Sequence, residues 1–284
     1  MNKKVSVARL SIASNSLLII LKLIAGLLSG SVSIISEAIH SMMDLLAAII
    51  AFFAVRISDH PADARHPYGH GKYENVSGVI EALLILVAAI WIIYEAIHKL
   101  ITPTVSEYIG VGIAVMFISS AVNFFVSRRL YKVAKETDSL ALEADALHLK
   151  TDVYTSMGVG VGLLLIKITG AHVLDPIVAI LVALLILKES YHLLVKAYHP
   201  LLDSALEDSE MEIIVRILDE QKVSYHNLRT RKSGNYKFVE FHMELAANMT
   251  LLESHDRCDV IENLLEQSLT FLTVTIHVEP MMDL

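Results

Sequence analysis

Two apolar stretches of this 284-residue chain each carry a histidine and an aspartate four residues apart. His40 and Asp44 lie in SVSIISEAIHSMMDLLAAIIAFFAV; His148 and Asp152 lie in EADALHLKTDVYTS, which runs on into an apolar stretch over 157–168. An i, i+4 pair occupies one face of a helix, one side chain above the other. An aspartate near the bilayer centre costs about 2.5–3.5 kcal/mol on insertion scales, so a chain that keeps two needs something for them to bind. Two imidazoles and two carboxylates are the N/O set that a tetrahedral, zinc-like divalent ion accepts. The spacing therefore predicts two membrane helices that meet and hold a metal ion between them. The competing reading, buried His–Asp pairs that only lock helix packing, has to arise twice with identical spacing. The polar stripe also extends past both pairs, through Ser33 and Glu37 on one segment and Asp145 with Thr155 or Ser156 on the other. Helices that face a hydrated passage show such a stripe.

The rest of the chain supports a membrane setting. Hydrophobic residues make up 54% of it, concentrated before about residue 200, which points to an integral membrane protein with a more polar C-terminal portion. Six segments reach the roughly 20 residues needed to span a bilayer: 9–29, 33–56, 76–100, 107–130, 140–168 and 172–195. Alternate connections are short and nearly uncharged. The others carry Lys3, Lys4 and Arg9, then Arg56, Arg65 and Lys72, then Arg128, Arg129, Lys132 and Lys135, then Lys196. The positive-inside rule places that side, and both termini, in the cytoplasm. The first apolar run is long enough to span and no small-residue cleavage site follows it, so it reads as a helix rather than a signal peptide. A net charge of −8 without a basic stripe argues against a nucleic-acid partner. The single cysteine, Cys258, cannot close an internal disulfide and fits a reducing compartment.

The pattern changes near Pro200, which divides the chain into 1–200 and 201–284. Helical periodicity over 207–221 is followed by two strand-like runs, Ser224–Ser233 and Tyr236–Leu245, joined at Gly234–Asn235, a turn signal. A second helical stretch over 251–269 precedes a last strand over 273–278. The order α-β-β-α-β predicts a small α+β domain of ferredoxin-like type. Period-two alternation sets Val239, Phe241, Met243 and Leu245, and then Val274, Ile276 and Val278, toward the core and His242, His277 and Glu279 away from it. His226 and His255 are further candidates for that outer face, which is either a metal cluster or an ordinary solvated surface. The loop SDHPADARHPYGHGKYE holds Asp63, His66 and His70, which read either as a polar loop or as a weaker metal site. Glu81, Glu95 and Asn123, lone polar residues in apolar segments, read as helix-contact groups.

Five motifs together identify a resemblance: SEAIHSMMD (36–44), HPYGHGKYEN (66–75), EADALHLKTDVYTS (143–156), HPLLDSAL (199–206) and HNLRTRKSG (226–234). The chain resembles the cation diffusion facilitators, proton-coupled exporters of divalent transition metals, over almost its whole length. The resemblance implies six transmembrane helices, a metallochaperone-like cytoplasmic domain that binds metal and dimerises, and a homodimer in the inner (cytoplasmic) membrane. It also implies a transport site at His40, Asp44, His148 and Asp152, and a loop site at Asp63, His66 and His70. The cytoplasmic metal cluster of the family falls on His226, His242, His255, His277 and Glu279, often near the dimer interface. Lys72 and Asp203 match a Lys–Asp contact that ties the dimer together, and Leu147 stands where an apolar gate is expected. The His–Asp set resembles the zinc-type branch; some bacterial members carry Asp where this chain has His40, and a close family type has Asp at the position of Glu279.

The function expected is a metal/proton antiporter, with Zn2+ as substrate and possible regulatory ligand and protons as counter-substrate. Fe2+, Cd2+, Co2+ and Ni2+ are alternative cargoes, and a metal sensor or assembly factor of the same fold is the alternative role. An intramembrane metallohydrolase fits poorly, because catalytic zinc keeps an open position beside a general base and no HExxH is present; an enzyme is not expected.

Overall fold

The computed structural model describes residues 3–29, 32–101, 110–169 and 173–281; some side chains inside helices, those of 32–37 and His40 among them, lie outside that description. The chain divides into two units, Met1–Tyr198 and His199–Leu284.

Among the described residues, the first unit has six helices: α1 (Lys3–Ser29), α2 (Val32–Ser58), α3 (Lys72–Ile101), α4 (Gly110–Thr137), α5 (Leu140–Thr169) and α6 (Leu174–Tyr198). Backbone groups in lipid have to be satisfied within the segment, and helices achieve that. α5 lies between two apolar clusters. On one side Ala141, Leu142, Ala146 and Leu149 pack with Val55 of α2 and Leu130 and Ala134 of α4. On the other, Leu140 and Ala144 pack with Ala82 and Ile85 of α3 and Ile186 and Leu193 of α6. Small residues set these approaches. A Cβ added at Gly78 of α3 would meet Ala197 Cβ of α6 at 3.1 Å, and one at Gly158 of α5 would meet Val182 Cγ2 of α6 at 2.9 Å.

The outward faces are apolar: Leu17 and Ile20 of α1, Val87, Trp91 and Tyr94 of α3, and Leu181 and Leu184 of α6 are all exposed. So broad an apolar surface belongs against lipid rather than water. By length and composition alone, Lys3–Ala25, Lys72–His98 and Pro176–Leu202 are long and apolar enough to cross a membrane. α2 and α5 carry the ionisable residues on which the site is built. Two helices run further than their apolar stretches predict. α1 begins at Lys3 because Lys4 is buried in an ion pair with Glu74, and α4 continues to Thr137 because Val133 and Ala134 still face the bundle core.

In the second unit a short 3-10 turn (His199–Leu202) leads to α7 (Asp208–Glu220), β1 (Ser224–Ser233), β2 (Tyr236–Leu245), α8 (Leu251–Ser268) and β3 (Leu272–Pro280). The sheet order is β1-β2-β3, with β1 antiparallel and β3 parallel to β2. Gly234 turns the hairpin at φ +62°, a region open to glycine. Thr250 caps α8 in a reciprocal box with Glu253, the pairing that satisfies two orphan donors. Val239, Phe241 and Met243 of β2 pack against Ile214 and Leu218 of α7 and Ile261 and Leu265 of α8. Both helices thus cover one face of the sheet and leave the other open.

Candidate metal centres

Asp44 of α2 and His148 and Asp152 of α5 converge, their ligand atoms lying within 4.8 Å of one another. His148 Nε2 lies 3.2 Å from Asp44 Oδ1. Without an ion that nitrogen donates to the carboxylate; to face a metal it has to give up its proton. Asp44 is buried, and its main-chain carbonyl accepts from Asn15 Nδ2 of α1 at 3.4 Å. His40 is on α2 one turn before Asp44, and its side chain is outside the described residues. Leu147, next to His148, is half-buried against the cluster shared by α3 and α6.

Around this group lie polar residues that periodicity did not single out. Asn123 of α4 donates to Asp152 Oδ2 at 3.4 Å. Lys22 of α1 is buried and donates to Ser41 Oγ at 2.7 Å. Nearer the start of α3, Glu74 is completely buried. It accepts from Lys4 Nζ at 2.9 Å, Ser58 Oγ at 2.9 Å and Ser139 Oγ at 2.6 Å. One carboxylate therefore ties α1, α2, α3 and the α4–α5 turn. The charges of Lys3 and Lys4 read in the sequence as a topology signal, and nothing in their spacing pointed to Glu74.

The loop residues Asp63, His66 and His70 form a second convergent group, again with ligand atoms within 4.8 Å of one another. Asp63 Oδ1 accepts from the main-chain N–H of Arg65 at 2.8 Å and of His66 at 2.6 Å. His70 Nε2 stands 3.5 Å from Asp63 Oδ2, while its Nδ1 donates to the His60 carbonyl at 3.4 Å. A main-chain acceptor on one imidazole nitrogen fixes the tautomer and leaves the other bare for an ion. The hydrogen bond from the His66 main chain is the chief reason the Asp63 carboxyl sits below its ordinary range; some burial opposes it, and the Arg65 N–H reinforces it.

The third group lies on the open face of the sheet. His226 pairs in register with His242, and His242 with His277, so three imidazoles stand in a row across the strands. Glu279 reaches all three: 2.9 Å to His242 Nδ1, 3.3 Å to His226 Nε2 and 3.5 Å to His277 Nε2. The ligand atoms of His226, His242 and Glu279 lie within 4.8 Å of one another. Glu244 of β2 approaches His226 Nδ1 at 3.6 Å. His255 stands apart: it pairs with Asp259 on its own helix at 3.7 Å, and α8 covers the opposite face of the sheet. Of the two residues expected to join protomers, Lys72 opens α3, and Asp203, in the second unit, is 3.7 Å from Arg231 Nη1.

Comparison with known proteins agrees with these features. The profile of the cation efflux transmembrane domain matches residues 8–202, and that of the cation efflux protein cytoplasmic domain matches residues 206–281. An uncharacterized transporter of Synechocystis sp., sll1263, is 37% identical over 93% of this chain and 86% of its own length. The cation-efflux pump FieF of Salmonella choleraesuis is 32% identical over 96% of this chain and 93% of its own. A solved structure of a candidate zinc transporter, CzrB, is 36% identical over 27% of this chain and 99% of that one, at a TM-score of 0.26.

Proposed function

The chain belongs to the cation efflux family, the cation diffusion facilitators, and from that membership we propose that it exports Zn2+ across the inner membrane in exchange for protons. The observation that carries this reading is the convergence of Asp44, His148 and Asp152 from two helices, with His40 one turn along α2 as the fourth ligand. Imidazole and carboxylate together suit zinc, cobalt, nickel or cadmium better than magnesium or manganese, which prefer all-oxygen shells. Two carboxylates balance the ion's charge, which limits the cost of holding it in a low dielectric.

Binding needs ionised aspartates and bare imidazole nitrogens, so arrival of the metal displaces protons and protonation releases it. Helices rocking between inward- and outward-open arrangements carry the site from one side to the other, with Leu147 as the apolar gate beside it. Both termini and the second unit are cytoplasmic in this scheme. Asp63, His66 and His70 bind arriving metal more weakly, and His226, His242, His277 and Glu279 hold a regulatory ion. His255 contributes only through a second protomer, and Lys72 and Asp203 join the two protomers of the homodimer. The test is uptake into proteoliposomes under an imposed pH gradient, run with Zn2+, Co2+, Ni2+, Cd2+, Fe2+ and Mn2+ in turn. Zinc uptake that collapses when the gradient is dissipated supports the proposal; uptake indifferent to pH rules out proton exchange.

A further inference from the structure

Two carboxylates inside the bundle are not used by the metal site. Glu81 of α3 and Asp145 of α5 are both completely inaccessible. Each has one weak donor: Ser77 Oγ reaches Glu81 Oε1 at 3.1 Å, and Ser11 Oγ of α1 reaches Asp145 Oδ1 at 3.2 Å. Among the described residues, the other oxygens, Glu81 Oε2 and Asp145 Oδ2, are buried with no hydrogen-bond partner. Glu81 interacts electrostatically with both Asp145 and His148, and Asp145 with His148. On α5 Asp145 precedes His148 by three residues, toward the end of the bundle where Lys4 meets Glu74.

From this arrangement we propose that Glu81 and Asp145 form a proton-carrying site beside the metal ligands, one that gives up its proton when the metal arrives. The inference rests on the proton-exchange reading above and adds residues to it. The charges decide the matter. Among the described residues, Asp44 and Asp152 converge with His148 on a place for one divalent ion, which balances those two carboxylates; Glu81 and Asp145, buried in the same bundle, lie outside that set and are not balanced by it. A buried carboxylate without a charge partner takes a proton instead. The charged groups of the neighbouring helices are engaged elsewhere. Lys4 serves Glu74, Lys22 of α1 donates to Ser41 of α2, and Lys196 of α6 pairs with Glu143. α4 offers the uncharged Asn123, directed to Asp152. α6 meets this part of α3 with Ile186 and Leu193. Among the described residues, His148 is the cationic candidate that interacts with the pair, and its Nε2 faces Asp44.

The occupant is a hydrogen ion rather than a second metal. Among the described residues, the sets of three or more ligand atoms converging within 4.8 Å include neither Glu81 nor Asp145. Arrival of a divalent charge beside His148 disfavours the proton on this pair, so metal entry and proton departure are linked.

The experiment adds Zn2+ to the purified full-length dimer in weak buffer. It reads bound zinc, protons released, and the C=O stretch of protonated carboxyl groups by difference infrared spectroscopy. Glu81→Gln and Asp145→Asn are predicted to bind as much zinc as the wild type while releasing about one proton fewer per chain and losing part of the carboxylic-acid band. Ser11→Ala and Ser77→Ala leave both carboxyls in place and remove their hydroxyl donors, so the band should persist to higher pH. Unchanged proton release and an unchanged band in both carboxyl variants overturn the proposal. So does a loss of bound zinc with proton release otherwise intact, which makes the pair a metal site. A wild type that binds zinc without releasing protons overturns the exchange reading and this proposal with it, whereas release that is present in the wild type and unchanged in both carboxyl variants overturns the pair alone. Should a carboxyl variant not elute as the folded dimer, the serine variants decide, and a band insensitive to both overturns the proposal.

Discussion

Asp63 combines two roles on one side chain. Its Oδ1 accepts the main-chain N–H groups of Arg65 and His66, and the same carboxylate faces two imidazoles. Those donors, the His66 N–H first, hold the carboxyl below its usual range. A group lowered on folding stabilises fully above its unfolded pKa and loses that contribution as pH falls through the folded value. The turn should therefore keep this support in full above about pH 4, the ordinary carboxylate range, and lose it progressively as pH falls below that, as an NMR titration of the loop would register. Asp63→Asn keeps the acceptor and removes the charge. It should preserve the turn yet weaken loop metal binding by roughly tenfold or more, measured calorimetrically. At the proposed transport site, Asp44→Ala or Asp152→Ala should abolish zinc flux into liposomes while the protein still elutes as a folded dimer; full transport in both excludes the site. Asp44, His148 and Asp152, which the structure brings together, were legible because four-residue spacing in an apolar run is itself a signal. Asn123 read only as a helix-contact group, and its partner Asp152 lies on another helix at a distance along the chain that no period marks.

Among the elements, α5 has the least freedom, since it packs on both sides and carries two of the proposed ligands. Gly158→Leu places a side chain where even a Cβ comes within 2.9 Å of Val182 Cγ2, so α5 and α6 have to separate. Overpacking of this kind costs about 1–3 kcal/mol, to be read as a lowered Tm, with a loss of zinc flux if the ligands on α5 shift with it. The Glu74 junction makes a second test. Glu74→Ala leaves Lys4 buried with Asp59 as its nearest charge partner, at 3.1 Å. Losing one member of a buried pair costs about 3–5 kcal/mol, whereas Lys3→Ala, whose pair with Glu136 is exposed, should cost about 1 kcal/mol or less. Helix ends were the less legible part of this level. Apolar runs mark the lipid-facing span, and α4 continues past its run through Arg128 to Lys135 because its inner face still has a core to meet.

For the whole molecule, the change of composition near Pro200 was the readable boundary, and the alternation of the last two strands told which face of the small sheet would be open. What the chain alone could not give was the company each histidine keeps: the row of His226, His242 and His277 depends on strand register, and His255 belongs to a helix on the other side. Zinc should raise the Tm of the intact dimer, by about 2.7 kcal/mol of stabilisation at a hundredfold excess over Kd. Chelation should reverse that gain, and His242→Ala should reduce it. The most direct measurement is a zinc count on full-length protein in which the loop ligands Asp63, His66 and His70 and the sheet ligands His226, His242, His277 and Glu279 have been replaced. About one ion per chain should remain, bound through nitrogen and oxygen only, and replacing Asp44 and Asp152 as well should remove it. Protein so stripped that holds no zinc at any pH, or that keeps its ion after both aspartates are gone, contradicts a metal held between α2 and α5.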